Sequence, residues 1–158
     1  MQRPGQLRRS DAVLTDLMLS VLPRMARRVS AALRDAGHPS PERLRALYGL
    51  RDGPLRVTDL ADAWRVSVPS VSRLLDALAE DGLVARSGDA HVRRVVRVEL
   101  TPQGAVTLAA AETAAQGVVL HLLRSLSREQ RRRLAAALAD LEAVLDADSG
   151  PATRAARA

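Results

Sequence analysis

The sequence predicts a mainly α-helical protein carrying one small β-hairpin, and three observations set that expectation. Apolar residues recur at helical spacing through most of the 158-residue chain. The period switches to alternation once, between Val95 and Leu100. The hydrophobic residues, 47% of the chain, are almost all aliphatic, with aromatics at 1%, so the core is expected from Leu, Val and Ala packed helix on helix. The length suits one ordinary domain, or a small domain with helical extensions.

Residues 1–9 lack apolar periodicity and read as a mobile tail. From Asp11 to Ala36, Leu14, Met18, Val21, Met25, Val29 and Leu33 form one helical stripe. Pro23 lies inside it, and a kink or break is expected near Leu19 to Leu22, because proline removes one backbone bond and crowds the preceding turn. Gly37 closes the segment. Pro39-Ser40-Pro41 leads into a helix from Pro41 to Leu50, and Arg51 to Pro54 is a turn. Leu55 to Val57 is a brief extended piece. Thr58 to Trp64 follows as a short helix with Leu60, Ala61 and Trp64 spaced for burial, so the lone tryptophan reads as core.

The stretch from Ser67 to Gly82, SVPSVSRLLDALAEDG, organises the rest. Ser67 is placed to cap a helix, Pro69 sits in its first turn and Gly82 ends it. Val71, Leu74, Leu75 and Leu78 make an apolar stripe, while Val68, Ser70, Ser72, Arg73 and Asp76 fall on the opposite face. That face is small and polar near the N-terminus, as a helix entering a DNA major groove requires. With the preceding short helix and the tight turn at Arg65-Val66, it forms a helix-turn-helix. Leu83 to Arg86 and Val95 to Leu100 then form a two-stranded hairpin with a polar tip, a wing. Thr101-Pro102 starts a helix that runs to about Leu123. Ser127 to Gln130 is a capping box opening the last one, where Leu134, Leu138, Leu141 and Leu145 keep heptad spacing.

The expected organisation is a winged helix-turn-helix over residues 41–101, flanked by a helix over 10–40 and helices over 102–148, with a second mobile tail at 149–158. The stripes of the first and last helices have no evident partner in the compact domain. A second copy of the chain supplies one, so both flanks are expected to dimerise.

Composition narrows the function. All 24 basic residues are arginine, and the net charge of +6 favours a polyanionic partner. The charge is uneven: residues 1–54 hold ten arginines against five acids, residues 55–101 seven against seven, and residues 102–158 seven against six. DNA binding by the middle segment therefore rests on local segregation of charge. Cysteine is absent, which removes disulfides and thiolate metal sites. No uninterrupted run of about eighteen apolar residues occurs, nor a signal peptide behind the N-terminal arginines, so a cytoplasmic protein with no membrane partner is expected. His38, His91 and His121 are scattered without acidic companions. No metal, no cofactor and no catalytic constellation are expected, and so no enzyme.

The segments GPLRVTDLADAWRVSVPSVSRLLDALAEDGLVAR (53–86) and RRVVRVELTPQG (93–104), with the flanking helices, resemble the MarR family of bacterial transcriptional regulators. The resemblance implies a homodimer with one winged helix-turn-helix per subunit, its reading helix in the major groove and a wing arginine in the minor groove. By position, Val68, Ser70, Ser72 and Arg73 match the base-facing part of the reading helix and Arg94 the wing arginine. The chain departs from the family at Val92, where an aspartate usually stands to orient that arginine.

Arg93, Arg94 and Arg97 read either as a charged guard on a strand edge or, given the helix pair before them, as DNA contacts. Arg86, at the wing base, reads as a phosphate or ion-pair residue. Tyr48, with Met18 and Met25, is the candidate lining of a ligand cavity between helical layers, against the core role that apolar stripes ordinarily have. The expected function is a homodimeric, ligand-responsive transcriptional repressor on a pseudo-palindromic operator. The alternative is a winged-helix protein-interaction adaptor that never reads DNA.

Overall fold

The computed structural model describes residues 9–88 and 96–148. Six helices and three short strands follow in the order α1 (Arg9–Asp35), α2 (Pro41–Gly49), β1 (Leu55–Arg56), α3 (Val57–Trp64), α4 (Val68–Glu80), β2 (Val84–Gly88), β3 (Val96–Leu100), α5 (Pro102–Arg124) and α6 (Arg128–Asp148). The helix starts are local chemistry. Ser40 and Ser67 each accept a backbone N–H three residues on at 3.4 Å, and Thr101 accepts that of Gly104 at 2.9 Å; each cap is followed by a proline in the first turn. Ser127 and Gln130 cap each other reciprocally, at 2.8 and 3.2 Å.

Two expectations change. α1 is one continuous helix through Pro23, so of the kink or break expected there the break does not occur. Proline removes a single rung of the ladder, and the helix continues on the rungs to either side. The wing is also not a two-stranded hairpin alone: β1 adds to it, giving an antiparallel sheet of order β1-β3-β2, with Leu55 opposite Val98 and Arg56 opposite Arg97. β2 pairs with β3 from Val84 opposite Leu100 to Gly88 opposite Val96. Residues 89–95, where the wing tip is expected, and the two expected tails beyond residues 9–148 lie outside the described residues.

One core fills the middle of the chain. Leu44, Leu47 and Leu50 of the α2 region meet Leu60 of α3, Val71, Leu75 and Leu78 of α4, Val98 of β3 and Leu108 of α5. All nine are buried, and Trp64 packs partly against them with Arg45 5.1 Å above its ring. α1 joins through Leu33 and Val29 and packs on α5. Its other half does not: Val13, Leu14, Leu17, Leu19 and Leu22 are all at least half exposed. α6 places no residue in the core, and Leu138 and Leu145 are each 53% exposed. By length and composition α5 is apolar enough to cross a membrane, with a mean hydropathy of 1.4 over eighteen residues. Here it packs on α1, α2 and β3 and carries the ion-paired Glu112 in its middle.

The sheet and the flank meet closely. Thr101, the single residue between β3 and α5, donates its N–H to Leu83 O at 3.1 Å and its hydroxyl to Gly82 O at 2.7 Å. Gly104 lies so near Leu83 that an added Cβ would overlap the Leu83 carbonyl. Only glycine permits this approach.

Candidate nucleic-acid interface

The turn between α3 and α4 is set by Arg65, which adopts the left-handed conformation at φ 54° and caps α3. Val66 N–H closes on Ala61 O at 3.1 Å, and the chain then enters α4 at Ser67. The two helices are thus fixed to each other, and the buried stripe Val71, Leu75 and Leu78 settles which face of α4 is left outside.

That outer face is the one the sequence indicates. Val68, Ser70 and Arg73 are exposed, and Ser72 is partly buried. Ser70 shares a hydroxyl contact with Ser67 at 2.8 Å, whereas Arg73 makes no ion pair among the described residues. Arg86 is different. Its guanidinium pairs with Asp76 Oδ1 at 2.6 Å and donates to Ser72 Oγ at 3.3 Å, joining the base of the wing to the reading helix. Sequence reasoning names Arg86 and Ser72 separately and misses Asp76 as their link; the only available signal is an acid on the outer face of α4.

Arg97 is exposed on β3, opposite Arg56. Arg56 grips Asp59 through two nitrogens, at 2.7 and 2.9 Å. The hydrogen bond from Arg56, with the charges of Arg56 and Arg97, holds the Asp59 carboxyl below the usual aspartate range, and the same bond raises Arg56. Arg93 and Arg94, the other expected wing contacts, and Val92 lie outside the described residues.

A second concave site lies between α2 and α5, with a volume of about 650 Å³, lined by Tyr48, Arg51, Glu112, Gln116, Val119 and Leu120 among others. Tyr48 is 40% exposed there and is not a core residue. Met18 and Met25, the other ligand candidates, do not line it; they sit on the exposed face of α1. Arg51 and Glu112, which the sequence does not single out, form an ion pair across the site. No group of histidines and acids able to hold a metal occurs among the described residues.

A helix pair with an exposed polar face, inserted between the first and second strands of a three-stranded antiparallel sheet, defines a winged helix-turn-helix protein. Residues 39–95 match the MarR family. The HTH-type transcriptional regulator Mb0904 of Mycobacterium bovis is 33% identical over 142 residues, covering 87% of this chain and 96% of the relative. The HTH-type transcriptional repressor MdtR of Bacillus subtilis is 23% identical, covering 90% of this chain and 94% of MdtR. Among solved structures, a MarR family protein from Bacillus stearothermophilus superposes with a TM-score of 0.78 at 25% identity, covering 90% of this chain and 99% of that one. A point mutant of Staphylococcus aureus MepR, bound to an oligodeoxyribonucleotide, superposes at 0.61 with 26% identity, covering 84% and 97%. The chain belongs to the MarR family, a family of transcriptional regulators and not of enzymes.

Proposed function

We propose that this protein is a cytoplasmic, homodimeric transcriptional repressor that binds a pseudo-palindromic duplex and releases it when a small ligand binds. The observation that carries the reading is the outer face of α4, small and polar at its capped N-terminus and bearing Arg73, which makes no ion pair among the described residues. In this reading Val68, Ser70 and Arg73 meet base edges, while Arg97 and the wing residues Arg93 and Arg94 meet the backbone and minor groove. The likeness to a MepR variant solved bound to an oligodeoxyribonucleotide supports DNA binding, and the name of MdtR supports repression. The exposed apolar side chains that recur along α1 and α6 support a dimer, since contiguous apolar surface commonly marks an interaction site.

Two half-sites on one DNA face lie about 34 to 36 Å apart, so a ligand that shifts one reading helix against the other uncouples them. Selection of bound sequences from a random duplex pool tests the reading. A palindrome bound with steep salt dependence is expected; absence of any salt-dependent duplex binding would leave the adaptor alternative.

A further inference from the structure

The groove between α2 and α5 has a built-in occupant. The Arg51 guanidinium lies 5.0 Å from the centre of the Tyr48 ring and pairs with Glu112, while Ala115, Val119 and Leu120 give the groove apolar walls. Those two contacts, a carboxylate and an aromatic face, are the ones an organic cation seeks. The two partners differ in how they are held. The Glu112 side chain is 29% exposed and Arg51 51% exposed, so the guanidinium swings into water at lower cost than the carboxylate.

From this asymmetry the geometry points to a flat organic cation as the ligand, seated between Glu112 and Tyr48 in the place Arg51 now fills. This rests on the ligand-responsive reading above and names its ligand class. An anion fits the site poorly: drawing Arg51 to itself, it would lie beside the Glu112 carboxylate and the negative face of Tyr48. The displaced residue also supplies the coupling. Arg51 follows α2, inside the reading domain, whereas Glu112 belongs to α5, so the pair fastens one to the other. A cation that takes Glu112 removes that polar tie while the shared core stays in place, and DNA in turn opposes the cation by the same factor.

Three probes with one ring and three charges test it: benzamidinium, benzamide and benzoate, titrated by calorimetry and ligand-observed NMR into the full chain without DNA. Benzamidinium is expected to bind at least about tenfold more tightly than benzamide, and benzoate not at all. Glu112→Gln should erase the preference for charge, and Arg51→Met should tighten benzamidinium several-fold because the competing guanidinium is gone. Opposite signs for the two variants are something a purely structural ion pair does not produce, and thermal melting checks that both are folded. Preference for benzoate, absence of charge preference, or weakening by Arg51→Met overturns the inference. These arms contain no DNA, so their failure leaves the repressor reading standing, and a failure to bind any duplex leaves them standing.

Discussion

Asp76 Oδ1 on α4 and Arg86 Nη2 on β2 lie 2.6 Å apart, and the same guanidinium reaches the Ser72 hydroxyl. The reading helix and the wing base therefore share one charge pair. Removing Arg86 would leave the Asp76 carboxylate without its counter-ion beside the proposed DNA face. Arg86→Ala is expected to weaken operator and random duplex alike, and Arg86→Ala with Asp76→Ala to recover part of the loss. Fluorescence anisotropy on both duplexes checks this; a double variant as weak as Arg86→Ala alone would assign Arg86 directly to phosphate.

Arg73 has no such commitment within the described chain. Arg73→Ala should therefore cost about 1 to 3 kcal/mol on operator DNA and little on random DNA. Equal losses on the two would take Arg73 out of base reading.

On α6 Leu138 is 53% and Leu134 39% exposed, and Leu141 is partly buried. Leu138→Asp with Leu141→Asp should yield a monomer or an unfolded chain, because a carboxylate buried in a helical seam without a partner is costly. Sedimentation velocity measures it, and a wild-type chain that stays monomeric at micromolar concentration would falsify the dimer.

Asp59 gives a dependence on pH with a defined sign. Its carboxyl is depressed by Arg56, so the pair's contribution is complete above the ordinary aspartate range and is lost as pH falls through the lower folded value. Asp59→Asn should flatten that part of the acid-unfolding curve and leave a variant less stable than wild type at neutral pH. Chemical denaturation across the acid range compares the two slopes.

Gly104 packs where no Cβ fits against Leu83. Gly104→Ala is expected to cost about 3 kcal/mol, at the upper end for overpacking, since the obstacle is backbone and cannot rotate away. Gly117, which meets nothing within 4 Å, provides the control: Gly117→Ala should be neutral or stabilising within α5. Melting temperatures of both variants decide it.

What is legible in the sequence is local. Ser40, Ser67 and Thr101 each stand just before a proline-bearing first turn, and Ser127 with Gln130 is a capping box; such signals act within a few residues and need no tertiary partner. β1 reads only as an extended piece because two residues carry no period, and its strand character comes from β3, far along the chain. Pro23 points to a break by its own chemistry, whereas continuity of α1 depends on rungs either side of it. In the candidate site, the outer face of α4 follows from helical spacing, but the links Arg86 to Asp76 and Arg51 to Glu112 join separate elements, and only the fold brings them together.

Thr101 separates β3 from α5 by a single residue, and the bonds to Gly82 and Leu83 leave that junction no slack. α5 therefore behaves as a lever welded to the wing. At 23 residues it is roughly 35 Å long by the 1.5 Å rise per residue. A sideways push of about 3 Å at its far end then becomes a turn of about 5° at the junction, by the same length. A push at the Arg124 end of α5 would reach the sheet as rotation, since the bonded Thr101 junction offers no hinge to absorb it.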